Sequence, residues 1–236
     1  MNKLCYLFFL LLASVSFSAF AGIDPELLES KKCSNMFAYF EARYKLPQHT
    51  LHSISLQETQ KAHSTHKIAL VWPWTINANG KGYHFETKDK ALAFARAQIA
   101  AGNKSIDVGC MQINLKYHPD AFASLEQAFS PRNNIAYGAK FLKDHYNKAG
   151  SWNKAIGRYH SGEQSKAARY QASVSKLSDE MLSYKQKLKN IAYNNQHQSK
   201  TATKKIKATS NTNRRDINVQ VNVGTIQDNN WFRKVH

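Results

Sequence analysis

The sequence predicts a mainly α-helical domain with one small β-hairpin, on three observations. Apolar residues recur at helical spacing through most of the chain after Asp24. Helix starts and stops are punctuated by Asp24-Pro25, Thr87, Gly102, Ser130-Pro131 and Gly150. Only the stretch from Ile68 to Phe85 turns to β-branched and aromatic residues, around an Asn79-Gly80 turn signal. A chain of 236 residues, 42% of them hydrophobic, has room for one such domain plus extensions.

In chain order, the first residues read as an export signal. Lys3 supplies positive charge, Leu7 to Leu12 form a short apolar run, and Ala19, Phe20 and Ala21 make a small-x-small cleavage site, so the mature chain is expected to begin at Gly22. An uncleaved anchor is the alternative, but the run is short for a bilayer span and ends in serines. Cys5 precedes the apolar run, which speaks against a lipoprotein.

Asp24-Pro25 then starts a helix carrying Cys33, Met36, Phe37, Phe40 and Tyr44 and ending before Pro47. A second helix, from about Gln48 to Thr59, sets Leu51, Ile54, Ser55 and Glu58 in one stripe. The hairpin follows, carrying Trp72 and Trp74. Thr87 caps an alanine-rich helix that Gly102 ends, and SIDVGCMQIN, Ser105 to Asn114, reads as an irregular loop or a helix entry. Ser130-Pro131 opens a helix to about Lys148. Ser151 caps another with Trp152, Ile156 and Tyr159, Gly162 breaks it, and a further helix spans Glu163 to about Asn190. The expected organisation is a signal peptide (1–21), a catalytic-sized domain (22–175), a helical extension (176–192) and a basic tail (193–236). Lys, Asn, Gln and Thr leave that tail disordered apart from an optional strand at Val219 to Val223.

Signal cleavage would remove Cys5 and leave Cys33 and Cys110 in an oxidising compartment. A disulfide joining the first helix to SIDVGCMQIN is expected, with two buried thiols as the alternative. The formal charge of +17 calls for an acidic partner or a solubility explanation. Nucleic acid, lipid head groups and the bacterial wall all qualify, and export to the periplasm favours the wall.

Gly109 permits a positive φ or a close approach, while Gln112 and Asn114 each offer a donor and an acceptor, the chemistry by which sugars are held. Glu58 shares its stripe with Leu51 and Ile54 and sits at the carbonyl end of its helix. Burial and the helix dipole both disfavour its charged form, as a general acid requires. Asp107 and Glu86 are the other carboxylates nearby, and Asp107 is assigned to bonding loop amides. The pairs His49/His52 and His63/His66 have ligand spacing, but no cysteine pair accompanies them and Glu58 lies between, so no metal and no cofactor are expected. Phosphate-gripping glycine loops, a Gly-x-Ser-x-Gly elbow and an EF-hand are all missing from the sequence.

Glu58, then SIDVGCMQIN, then AIGRYHSG (Ala155 to Gly162) resemble, in that order, the lytic transglycosylases of the lysozyme-like superfamily, which carry the SLT domain. WPWTIN, Trp72 to Asn77, is similar to the same segment in secreted members linked to conjugation and secretion machinery. The resemblance implies a goose-type lysozyme/SLT helical fold acting on peptidoglycan glycan strands, with service to a conjugation, secretion or flagellar complex. It implies Glu58 as the single acid/base, with Thr59 beside it and Gln60 standing where the family has glycine. It implies a substrate wall of Met111, Gln112 and Asn114, a Tyr159 hydroxyl near the reactive acetamido group, and His160 in place of the usual asparagine. Trp72 and Trp74 either stack on a sugar or fill the core beneath the hairpin. The implied reaction is cleavage of the MurNAc-GlcNAc bond with closure of a 1,6-anhydro ring. Its rivals are a hydrolytic muramidase, a non-catalytic glycan-binding or secretion scaffold, and a nucleic-acid binder suggested by charge alone.

Overall fold

In the computed structural model the chain is described over residues 23–210. The expected signal segment, Cys5 and Val219 to Val223 lie outside the described residues. Asp24 caps α1 (Pro25–Tyr44), accepting the N–H groups of Glu26 and Leu27 at 2.9 and 3.1 Å, as its position before a proline predicts. The second helix, α2 (Thr50–Thr59), has no side-chain cap of its own, because its N-cap His49 stands at φ 72°. The buried Glu41 of α1 replaces that cap: Oε1 accepts from Leu51 N at 2.9 Å and Oε2 from His49 N at 3.1 Å. A carboxylate at a helix N-terminus satisfies free N–H groups and complements the dipole, so α1 fixes where α2 begins.

Lys61–Ala62 (β1) pairs with Ala69–Leu70 (β2). The expected hairpin forms from β3 (Thr75–Ala78) and β4 (Lys81–His84), with Asn79 and Gly80 at φ 53° and 78°, the positive values a two-residue turn of this hand needs. It is not the only strand region. SIDVGCMQIN is itself a hairpin, β5 (Ile106–Val108) and β6 (Ile113–Asn114), in an antiparallel sheet ordered β4-β3-β5-β6. The reading of a loop or helix entry fails because β5 is held by pairing with β3, about thirty residues upstream, which local patterning cannot register.

Thr87 caps α3 (Lys88–Ala100), accepting from Lys90 N. The short α4 (Leu125–Ala128) precedes α5 (Pro131–Ala149), which ends on Gly150 at φ 64°. Then come α6 (Trp152–His160), α7 (Gln164–Asp179) and α8 (Met181–Ser210). The single helix expected over Glu163 to Asn190 is thus two, parted at Glu180, and α8 continues past Tyr193, where the sequence suggested a disordered tail. No glycine or proline interrupts Met181 to Ser210. Leu188, Ile191 and Ala192 pack on the core, and Asn195 Nδ2 donates to Asp24 Oδ2 at 3.1 Å, which carries helical order through the first half of that segment. Among the described residues no helix is long and apolar enough to cross a membrane.

Two apolar clusters form the core. One, with Phe37, Leu51, Ile54, Ile135, Leu142 and Tyr170, lies among α1, α2, α5, α6 and α7. The other, with Trp72, Trp74, Ile76, Leu92, Ile106 and Phe129, lies between the sheet and α3. The turn from Gly109 to Gln112 meets the first cluster and has few regular partners for its backbone. Asn134 of α5, fully buried, supplies them: Oδ1 accepts from Met111 N at 2.8 Å, and Nδ2 donates to Val108 O and Ala128 O at 2.9 and 3.0 Å. A Cβ on Gly109 would lie 2.6 Å from Asn134 Nδ2, and its φ is +80°, so both the fit and the backbone demand glycine. The expected disulfide joins Cys33 of α1 to Cys110 in this turn, with Cα atoms 6.0 Å apart and both residues fully buried.

Two predictions follow from this packing. Asn134→Ala strands three buried backbone groups and should lower unfolding free energy by about 3 kcal/mol or more, read by urea denaturation. The double variant Cys33→Ser/Cys110→Ser opens a loop of 77 residues and should cost about 2 to 5 kcal/mol, seen as a melting point that no longer responds to reductant.

Candidate functional site

Glu58 sits in the last turn of α2, where Thr59 and Gln60 end the helix. Gln60 takes the left-handed conformation, φ 34° and ψ 42°, so it makes the turn for which the resemblance would supply glycine. Thr59 is buried and structural: its hydroxyl donates to Ser55 O at 2.8 Å and accepts from Trp72 N at 3.1 Å, while its carbonyl accepts from His84 Nε2 at 2.5 Å. Three bonds on one residue pin the helix end, so the Glu58 side chain departs from a fixed backbone.

Protein surrounds that carboxyl, yet it keeps a half-buried face toward solvent. Burial pushes its pKa from the ordinary carboxylate range up to about 7. The Tyr170 hydroxyl, donating to Oε1 at 2.5 Å, works in the opposite direction, and the negative charge of Asp107 adds to the rise. Asp107 is itself raised by burial and accepts from Asn114 Nδ2 at 2.7 Å, the amide-bonding use the sequence suggested. Glu86 lies elsewhere, exposed and paired with Lys90.

SIDVGCMQIN is tied by hydrogen bonds to the elements that surround this carboxyl. Ser55, one turn before Glu58, donates its hydroxyl to Cys110 O at 2.7 Å, and Tyr159 donates to Met111 O at 2.9 Å. Gly138 of α5 makes room, since a Cβ there would stand 2.9 Å from Met111 Cγ and 3.0 Å from the Tyr159 hydroxyl. Burial and the Glu58 charge hold the Tyr159 phenol protonated well above its usual range.

Several candidate ligand groups prove to be committed inward. Met111 is fully buried in the first cluster. Gln112 Nε2 donates to Gly109 O and Thr75 O at 3.0 and 3.1 Å, which leaves its carbonyl oxygen as the free polar atom. Asn114 bonds Asp107 through its amide nitrogen and accepts the N–H groups of Lys116 and Tyr117. Trp72 and Trp74 are core residues with indole N–H groups donating to Phe85 O and Glu29 Oε2, each at 2.7 Å. His160 is exposed and stacked on Tyr170.

Tyr170 is the residue the sequence reading missed. It lies on α7, 112 positions from the carboxyl it bonds. The one local signal was a hydroxyl-bearing aromatic on the apolar stripe it shares with Val174 and Leu177.

The histidine pairs do not converge. His52 is a core residue between the Phe37 and Tyr184 rings, its pKa driven down to about 3 mainly by burial. Asp24, His63 and His66 bring ligand atoms within 4.8 Å of one another. His63 Nδ1, however, accepts from the N–H groups of Thr65 and His66, so Nε2 carries the proton and donates to Asp24 Oδ2 at 2.9 Å. A metal-bound histidine needs an acceptor at its second nitrogen, and here two donors occupy it. The cluster is a brace between α1 and the β1–β2 loop.

Residues 93–182 match the family model described as the Transglycosylase SLT domain. No curated protein and no solved structure matches the chain. The matched stretch runs from α3 to the first turn of α8 and includes the turn, Tyr159, His160 and Tyr170, while Glu58 precedes it. Over those residues the chain is similar to a transglycosylase SLT domain, which supports a peptidoglycan-acting module of the lytic transglycosylase type that its motifs resemble.

Proposed function

We propose that the protein is a peptidoglycan lytic transglycosylase that cleaves the β-1,4 bond between N-acetylmuramic acid and N-acetylglucosamine, with Glu58 as its single acid/base. The observation that carries this reading is the Glu58 carboxyl itself: enclosed, raised to about 7, bonded by Tyr170, and close to Tyr159, which bonds the turn. A carboxylic acid donates a proton at neutral pH when its pKa lies near the operating pH. Because Tyr170 donates to Oε1, the transferable proton resides on Oε2.

In the forward step Oε2 gives its proton to the glycosidic oxygen as the bond to the anomeric carbon breaks, and the substrate's acetamido oxygen bonds to that carbon. The carboxylate so formed then takes the proton of the muramic acid C6 hydroxyl. That oxygen attacks the anomeric carbon, expels the acetamido oxygen and closes the 1,6-anhydro ring. Glu58 ends protonated as it began, and no water is consumed. The Tyr159 hydroxyl, its hydrogen committed to Met111 O, offers an acceptor lone pair near the reacting sugar. The disulfide supports an exported protein working in the periplasm, since such bonds persist in oxidising compartments. The positive charge suits an anionic wall, and the resemblance carried by WPWTIN suits service to a conjugation or secretion apparatus.

Digestion of purified peptidoglycan, read by mass spectrometry, is expected to release 1,6-anhydromuramic products. Glu58→Gln should slow their release by about 100-fold or more. Unchanged cleavage by that variant would remove Glu58 as the acid, and reducing ends in place of anhydro ends would make the enzyme a muramidase. The first step needs the protonated acid, so kcat/KM should fall as pH rises through about 7. Tyr170→Phe removes the bond that holds the pKa down, and its alkaline limb should move to higher pH in the same assay.

A further inference from the structure

We propose that His160 is a positioning residue: its exposed imidazole, stacked on Tyr170, holds the phenol in the orientation that bonds Glu58. The proposal rests on the reading of Glu58 as the acid and concerns what sets that acid's geometry. His160 closes α6 and Tyr170 lies in the middle of α7. Their rings are 4.6 Å apart and inclined by only 2°, while Tyr170 is buried and His160 is open to solvent.

The stack is built by the helices beneath it. A Cβ on Gly157 would lie 2.7 Å from Ala167 O, so α6 and α7 approach as closely as glycine allows. Three residues further along each helix, His160 meets Tyr170. A tyrosine's hydroxyl direction is set by its ring plane, and one face of this ring is covered by an imidazole laid parallel to it. The phenol oxygen stands 2.5 Å from Glu58 Oε1, a length that tolerates little rotation. His160 stands where the family pattern has asparagine, which cannot offer a ring, so the device belongs to this chain's own departure.

The groups that face Glu58 from the packed elements are Tyr170 of α7, Tyr159 of α6 and Asp107 of β5. Desolvation of its packed face and the positive charge of Lys166 keep the imidazole neutral to lower pH, so the stack is one of neutral rings at neutral pH. His160 reaches the carboxyl only through Tyr170.

The test is an NMR titration of the Glu58 side-chain carboxyl in the full chain without substrate, for wild type, His160→Ala, His160→Phe and Tyr170→Phe. Loosening the Tyr170 bond removes the influence that holds the carboxyl's pKa down. The midpoint in His160→Ala should therefore rise by about 0.5 pH unit, toward that of Tyr170→Phe, and His160→Phe, which keeps a flat ring, should stay near wild type. An unchanged midpoint in His160→Ala overturns the proposal. So does a lower one, which would make His160 a lid that keeps water from Glu58, and so does a His160→Phe midpoint that follows alanine. None of these readouts depends on turnover: wall cleavage that survives Glu58→Gln would sink the proposed function, while the titration still decides His160.

Discussion

A buried turn has to find a partner for every peptide group it contains, and the turn from Gly109 to Gln112 finds most of its partners in side chains. Asn134 supplies one acceptor and two donors to the backbone around it. Its amide lies so close that Gly109 can carry no side chain. What remains of the turn's polar surface becomes a set of attachment points: Cys110 O for Ser55 of α2, Met111 O for Tyr159 of α6, and Cys110 Sγ for Cys33 of α1. Four helices are thus registered on four residues. The glycine matters to the site through this registration, since it allows one asparagine to satisfy a segment that no sheet or helix could.

The electrostatics of Glu58 follow from that registration. With α2 tied to the turn and α7 packed across it, the carboxyl is enclosed by groups that fall short of compensating its charge: one phenol donor, a second phenol whose hydrogen is committed to Met111 O, and the nearby carboxylate of Asp107. Desolvation therefore outweighs hydrogen bonding and leaves the pKa raised. Had Asn114 faced substrate, as the sequence suggested, Asp107 would lack its 2.7 Å amide partner. The groups in SIDVGCMQIN that look suited to sugars are largely the ones that hold the site's own frame.

That difference marks the boundary of what the sequence discloses. Helix ends were legible because caps act locally: Asp24 with Pro25, Thr87 at α3, Gly150 after α5. Glu58 was legible because a stripe of three-and-four spacing says which way a side chain points within its own helix. The cysteine pair was legible from the expectation of an oxidising compartment, which left Cys33 and Cys110 as a pair. Residues whose meaning lies across the fold were not. The partner of β5 is β3, the partner of Glu58 is Tyr170, and the cap of α2 is Glu41, and no short-range pattern links any of these pairs. Composition discloses what Gln112, Asn114 or Trp74 can bond, but the direction each faces is decided by which backbone groups the fold leaves unsatisfied.

The two departures from the motifs the sequence resembles, Gln60 and His160, both fall around Glu58, and the structure absorbs each by a different means. Gln60 adopts the left-handed conformation that glycine would take more easily, a local cost of about 1 kcal/mol that the bonds on Thr59 can offset. His160 exchanges an amide's hydrogen bonds for a ring face, and the ring finds a parallel partner in Tyr170. In neither case does the carboxyl lose its enclosure or its hydroxyl donor. The requirement at this site is therefore the environment of one carboxyl rather than the identity of its neighbours. A residue there can change if it keeps the helix end pinned and the phenol aimed, and any substitution that releases either one acts on Glu58 itself.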